Sequence, residues 1–369
     1  MPDPYVSVIV TAHDRRRYLP EALHSLEAQT LSKDKFEVIV VKNFEDPISD
    51  EIIRRNGWKN VVTDVVPVGS KIAIGLEEAR GEVITFLEDD DMYAPERLQK
   101  VYEAFLKVKN IAYFHNEQVV IDENNKVIRE VSPLPGLKIR VPGYVVIDSR
   151  ILSKVDSRLG ICYYQLLIAK GKILGLGLFF NNSSLAIKKV LLDPKIVANM
   201  STAVDLLLFA IALRSQLPIA LSGEPLTYYR AHGESWSHIT YGPLKGSPTR
   251  VLKAVLGLVE AVRWSSYVAR FLPSECHCNS YELFSLGLRL HFSILPMADL
   301  RQAGLDLSPS LTEALRYLGC QLRLASLSGN GGLVQALELA ARAFLPIVAA
   351  RTGSTAIKGL LYRLGERMG

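Results

Sequence analysis

Over its first hundred residues the chain alternates short β-rich runs with amphipathic segments, and this rhythm limits the available folds more than any other feature. Tyr5–Val10, Phe36–Val41, Val61–Val66 and Val83–Leu87 read as strands, with Tyr18–Gln29, Ile52–Asn56, Lys71–Ala79 and Pro95–Val108 as the helices between and after them. Strands separated by helices form βαβ units on a parallel sheet. Runs as continuously apolar as Val38-Ile39-Val40 and Val83-Ile84-Thr85-Phe86-Leu87 have no polar face, so helices should cover the sheet on both sides. Such sheets bind ligands beyond the carboxyl ends of their strands.

From Ile111 to Glu130 strand-like runs flank Glu123-Asn124-Asn125, a turn-rich tripeptide that predicts a hairpin and a mixed sheet. Asn181–Lys188 then reads as a strand, Thr202–Arg214 as a helix and Pro225–Arg230 as a final strand, while residues 134–180 carry no readable pattern. Beyond Pro243 the texture is helical, with segments at Val251–Phe271, Tyr281–Leu295, Leu311–Leu327, Leu333–Ala349 and Ala356–Arg367. A chain of 369 residues exceeds the usual size of one core. The expected division is an α/β catalytic domain over residues 1–242 and an all-α domain over 243–369.

Charge and hydropathy exclude several functions. With 43 basic against 38 acidic residues the chain lacks the clustered positive charge that nucleic acid requires. No stretch approaches the roughly 20 uninterrupted apolar residues of a spanning helix. The start, Met1-Pro2-Asp3-Pro4-Tyr5, shows no basic segment followed by an apolar one, so a cytoplasmic catalytic part is expected. The basic tail Lys358–Arg367 raises peripheral contact with the inner membrane face, with bundle packing or oligomerisation as the alternative. Cys276 and Cys278 are too closely spaced for a usual zinc site; free, partly buried thiols are the default, with a disulfide among Cys162, Cys276, Cys278 and Cys320 the alternative, unusual for a mesophile's cytoplasm.

The chemistry concentrates in Glu88-Asp89-Asp90-Asp91, directly after the apolar strand Val83–Leu87. Four crowded carboxylates repel one another unless a cation neutralises them, and hard ions such as Mg²⁺ or Mn²⁺ prefer oxygen ligands. The alternative is a solvated acidic loop that caps the helix starting near Pro95.

At this point the chain resembles glycosyltransferase family 2, inverting enzymes of the GT-A fold. The matching segments are Val6-Ser7-Val8-Ile9-Val10-Thr11-Ala12-His13-Asp14-Arg15, Tyr18-Leu19, Ser25-Leu26-Glu27-Ala28-Gln29-Thr30, and Ala79 through Asp91, within a likeness that covers roughly residues 5–240. The resemblance implies a Rossmann-like mixed sheet of the nucleotide-diphospho-sugar transferase type. It also implies a nucleoside-diphosphate sugar as donor, a UDP-sugar favoured, Mn²⁺ or Mg²⁺ as cofactor, and a glycan, lipid-linked or protein acceptor. Asp90 is the implied direct metal ligand with Asp91 assisting, and Glu88 or Asp89 lies near the ribose.

Thr11, Ala12, His13 and Asp14, on the loop after the first strand, are implied to hold nucleobase and ribose. His13 stands where the family often has an aromatic residue, suited to stacking on the base; an exposed loop histidine is the alternative. Arg15–Arg17 reads as a solvated charge run. Asn43 replaces the family's usual carboxylate after the second strand, and an amide that both donates and accepts leaves the base preference open. Lys71 reads as a phosphate contact or a surface lysine. In Tyr228-Tyr229-Arg230-Ala231-His232, Arg230 as a permanent cation and His232 as a donor or metal ligand match the family's segment at the leaving diphosphate; an ordinary aromatic strand end is the alternative.

Inversion needs a base for the acceptor hydroxyl, and Asp205 is the candidate, although Thr202 and Ala203 lack the carboxylates the family usually carries there. A capping aspartate is the alternative, and burial and the helix start would shift its pKa in opposite directions. Two further activities compete: a nucleotidyltransferase using a similar acidic site, and a catalytically silent nucleotide-sugar-binding scaffold.

Overall fold

A computed structural model describes residues 3–131, 144–156, 161–162, 164, 180–232, 260, 263–272, 312–313, 315–316 and 319–320. The chain divides into two compact units, residues 1–154 with 171–235, and residues 155–170 with 236–369.

The first unit is built on a mixed sheet. β1 (Val6–Ala12), β2 (Phe36–Lys42), β3 (Lys59–Val62) and β4 (Val83–Glu88) are parallel, in the order β3-β2-β1-β4. Helices α1 (Leu19–Glu27), α2 (Pro47–Arg55) and α3 (Val68–Glu78) connect them. All seven residues of β1 are buried, as an apolar strand in the middle of a covered sheet requires. Local chemistry sets the helix starts: Pro47 opens α2, and the Asp46 carboxylate accepts from the Ser49 backbone N–H at 3.1 Å. Helix α3 lies unusually close to β1, since a Cβ on Gly75 would fall 2.5 Å from Ile9 Cγ2.

Beyond β4 the sheet changes direction. The short β5 (Met92–Tyr93) and helix α4 (Arg97–Lys107) precede a hairpin of β6 (Tyr113–Ile121) and β7 (Val127–Val131), turning where Glu123-Asn124-Asn125 predicted. β8 (Tyr144–Asp148) completes the strands before residue 155, and in the second unit β9 (Val155–Asp156) pairs antiparallel with β10 (Ile161–Cys162). Back in the first unit, β11 (Leu185–Lys188) inserts antiparallel between β4 and β6, and β12 (Pro218–Arg230) runs parallel to β6 and antiparallel to β8 and β5. The α/β architecture with a mixed sheet is thus the one the sequence implied.

Several boundaries differ from expectation: β3 covers Lys59–Val62 rather than Val61–Val66, and α2 opens at Pro47 rather than Ile52. Residues Asn182–Ser184 form a single 3-10 turn rather than the start of a strand, with Asn181 at φ 74° before it. Strand β12 begins at Pro218, seven residues before the expected Pro225, because register shifts between Ser222, Pro225 and Thr227 absorb the proline that reads as a strand breaker.

In the second unit residues 263–269 are helical, and the other helical segments expected after Pro243 fall wholly or largely outside the described residues. Cys320 is disulfide-bonded, against the expectation of free thiols; proximity in the folded chain decides pairing, which spacing does not reveal. Among the described residues no helix is long and apolar enough to cross a membrane.

Candidate active site

The parallel strands end on one side of the sheet, and the acidic run begins there. Glu88 is the last residue of β4; Asp89 N–H then bonds the Thr11 carbonyl at the end of β1, at 3.2 Å, and Asp91 N–H turns back to the Glu88 carbonyl at 3.1 Å. This turn leaves one carboxylate oxygen each of Glu88, Asp90 and Asp91 within 4.8 Å of one another. Asp89 points elsewhere, its Oδ2 accepting from His13 N–H at 3.1 Å. Glu88, which the resemblance set beside the ribose, therefore joins Asp90 and Asp91 in a group whose hard oxygens suit Mg²⁺ or Mn²⁺.

Crowding and burial govern the charges. Burial, reinforced by the Asp90 charge, pushes Glu88 and Asp89 up to about 7. Asp91 is raised well above its ordinary value by burial, then by Asp90 and Glu88. Burial would raise Asp90 too, but a hydrogen bond from His232 and the nearby Arg15 charge hold it below the usual carboxylate range. A bound cation would relieve the same repulsion.

Neutral donors fix the run from the side of β11. Asn181 Nδ2 donates to Asp91 Oδ2 at 2.7 Å, and Asn182 Nδ2 donates to Glu88 Oε1 at 2.8 Å. Glu88 N–H bonds Ser183 Oγ at 3.0 Å. Asn181 also reaches the candidate base, its backbone N–H donating to Asp205 Oδ2 at 3.0 Å. Asp205 lies in the first turn of the helix Val204–Arg214, and Ala203 at its N-cap holds the left-handed φ of 54°, which costs a non-glycine residue roughly 1 kcal/mol or more. Burial outweighs the backbone hydrogen bonds that Asp205 accepts and pushes it up to about 6. The sequence reading passed over Asn181, Asn182 and Ser183; the polar run Asn181-Asn182-Ser183-Ser184 before an apolar strand was the available signal.

The loop after β1 approaches from the opposite side, and Arg15 on that loop and Lys71 on α3 depart from expectation. Arg15 is only partly exposed: its Nη2 lies 2.5 Å from Asp89 Oδ1 and its Nη1 2.5 Å from Asp90 Oδ2, and these carboxylates outweigh burial to hold the guanidinium above its ordinary pKa. Arg17 does face solvent. Lys71 is not a surface lysine. It is buried, with Nζ 2.8 Å from the Ala12 carbonyl and 2.8 Å from His13 Nδ1, and burial lowers it to about 8. The close packing of α3 brings it there. His13 keeps a partly exposed ring, and Asp14 and Asn43 bond each other twice, Asp14 N–H to Asn43 Oδ1 at 2.9 Å and Asn43 Nδ2 to Asp14 Oδ1 at 2.7 Å.

Arg230, which the resemblance implied at the leaving diphosphate, is held by groups of the protein. Its side chain is buried, Nε donates to the Asp90 carbonyl at 2.9 Å, Nη2 pairs with Glu21 at 2.7 Å, and Nη1 faces the Asp122 carbonyl at 3.3 Å. The guanidinium also stacks 4.5 Å from the Tyr18 ring. With its donors engaged by protein, Arg230 braces the acidic turn from behind, and its backbone N–H holds Asp91 Oδ1 at 3.0 Å. His232 does stand in the site, Nε2 2.9 Å from Asp90 Oδ2.

Residues 7–147, which contain the acidic run and the loop after β1, match the model of glycosyl transferase family 2. The likeness to that family covers this region of the chain. An uncharacterized glycosyltransferase of Nostoc is 29% identical over 134 residues, 34% of this chain and 40% of that protein. The poly(ribitol-phosphate) beta-N-acetylglucosaminyltransferase TarS of Staphylococcus aureus is 26% identical over 152 residues, 40% of this chain and 25% of that one. The chain thus spans less than half the length of these relatives. Among solved structures, S. aureus TarS 1–349 in complex with UDP-GlcNAc aligns at TM-score 0.47 and 18% identity, over 95% of this chain and 92% of that one.

Proposed function

We propose that the first unit transfers a sugar, with inversion, from a nucleoside diphosphate to an acceptor hydroxyl, with a UDP-sugar as the favoured donor. The observation that carries this reading is the pairing of two carboxylate environments at the strand ends. Glu88, Asp90 and Asp91 form a hard-oxygen group, and Asp205, tied to that group through Asn181, is raised to about 6. The relatives matched in sequence carry glycosyltransferase names, in keeping with this assignment.

A divalent ion held by Asp90 and Asp91, with Glu88, would neutralise the negative charge that builds up on the departing diphosphate. The chain's own residues supply the rest. Thr11, Ala12, His13, Asp14 and Asn43 form the wall for the nucleoside, and the double bond between Asp14 and Asn43 fixes its shape. Asp89 accepts His13 N–H and so secures that wall to the acidic turn. Lys71 supports it from beneath through Ala12 and His13. His232 orients Asp90. Asp205 takes the proton of the acceptor hydroxyl as its oxygen attacks the anomeric carbon, and a base near 6 is ionised at neutral pH while retaining proton affinity.

The test is calorimetric titration of UDP, GDP, dTDP and CDP, with and without Mn²⁺, into the wild type and Asp90→Ala. Binding of one nucleotide that needs both Mn²⁺ and Asp90 supports the reading and names the donor base. No binding under any condition rejects it.

A further inference from the structure

The acidic corner already holds a cation supplied by the chain. Arg15 reaches across from the loop after β1 and bridges two carboxylates, Asp89 Oδ1 and Asp90 Oδ2, each at 2.5 Å. His232 Nε2 shares Asp90 Oδ2 at 2.9 Å and lies 3.5 Å from Arg15 Nη1. The other members of the group are differently engaged. Asp91 accepts from the Asn181 amide and the Arg230 backbone N–H, one on each oxygen, and Glu88 Oε1 accepts from Asn182. Those partners are neutral donors, which hold a carboxylate in place without cancelling its charge. Arg15 brings a full positive charge instead, and it does so at Asp89 and Asp90.

A divalent ion binding Glu88, Asp90 and Asp91 would lie within a few ångströms of the guanidinium, where like charges repel strongly. The two cations therefore compete for Asp90. Arg15 can yield by side-chain rotation, because its stem is flexible and its side chain is 27% exposed. The loop itself stays fastened through Asp14 to Asn43 and through the His13 N–H to Asp89. A displaced guanidinium remains tethered beside the metal, and the anion that a metal at this corner recruits is a diphosphate, which an arginine fork binds through paired N–H donors.

We propose that Arg15 is an exchangeable counter-cation. It neutralises Asp89 and Asp90 while no metal is bound, gives up Asp90 to the divalent ion, and then binds the diphosphate that accompanies that ion. The diphosphate half of this assignment rests on the transferase reading; the competition with metal does not.

The experiment is isothermal titration of the full chain with MnCl₂ alone, then with UDP or GDP at saturating Mn²⁺. It compares wild type, Arg15→Ala, Arg15→Gln and Arg17→Ala, each checked for wild-type circular dichroism. Loss of one charge-assisted competitor should tighten Mn²⁺ binding roughly tenfold in both Arg15 variants and leave Arg17→Ala unchanged. With Mn²⁺ saturating, the nucleotide that binds the wild type should bind the Arg15 variants roughly tenfold more weakly. Unchanged or weaker Mn²⁺ binding by the Arg15 variants overturns the proposal, as does equal tightening by Arg17→Ala, which would mark a general field. Undiminished nucleotide affinity overturns the exchange to diphosphate. If wild type and Arg15 variants all fail to bind Mn²⁺, the metal centre of the transferase reading falls and the competition with it. Mn²⁺ binding without binding of either nucleotide rejects the diphosphate half alone.

Discussion

Two arms grip the acidic turn, and they do so with opposite chemistry. On the side of β11, Asn181, Asn182 and Ser183 offer short neutral groups to Asp91 and Glu88. On the side of β1, Arg15 offers a full positive charge on a long side chain to Asp89 and Asp90. A neutral amide orients a carboxylate and leaves its charge for a cation to use. A guanidinium removes that charge and must move before a cation can enter. One arm therefore reads as a fixed scaffold and the other as an exchangeable part.

The largest effect expected in breaking this comparison comes from the acids themselves. Asp205→Asn should lower kcat by about 10²–10⁴, the range for a missing general base, with donor binding retained. Calorimetry and turnover on the same preparation check this, and equal losses of binding and turnover would contradict the assignment. Asp90→Ala should also abolish the rise in Tm that Mn²⁺ gives the wild type, since an ion bound only by the folded chain stabilises it.

Next come the neutral donors. Removing the amide in Asn181→Ala leaves Asp91 buried with one hydrogen bond fewer, a loss of about 1–3 kcal/mol in chemical denaturation. Metal affinity should weaken by about 10–100-fold, the usual range for a group that orients a ligand. Arg15→Ala is expected to move metal affinity the other way, and opposite signs at these two positions are the sharpest form of the contrast.

A smaller effect concerns pH. Asp205 is raised from 3.8 to about 6 in the folded chain, so between those values the folded state binds more protons than the unfolded one. Stability from this group is present at low pH and is lost as pH rises through about 6, at most about 3 kcal/mol. Asp205→Asn should remove that part of the pH dependence in denaturant titrations. The proposed activity should run oppositely, rising as Asp205 ionises near pH 6. The smallest effect is at Ala203, where Ala203→Gly should raise stability by up to about 1 kcal/mol, since glycine adopts a positive φ freely. A loss of stability there would show that the alanine methyl packs to greater effect than the strain it imposes.

The alternation of apolar strands and amphipathic helices made the parallel half of the sheet legible, because a strand buried on both faces needs a continuous apolar run, as Val8–Val10 of β1 and Val38–Val41 of β2 supply. The hairpin after β6 was legible for a local reason, the turn chemistry of Glu123-Asn124-Asn125. The acidic run announced a charged corner for the same kind of reason: crowding of Glu88 through Asp91 is written in adjacent residues. What sequence could not show was where long side chains end. Arg15, Lys71 and Arg230 carry the same charge and were read as solvent-facing or phosphate-facing, yet one pairs with two carboxylates, one supports a loop from beneath, and one braces the turn through its carbonyl. Each of those partners is dozens of residues away in the chain, so only the tertiary fold brings them within reach. The same holds for Asn181, whose link between Asp91 and Asp205 exists because β11 inserts beside β4, a pairing that no local pattern encodes.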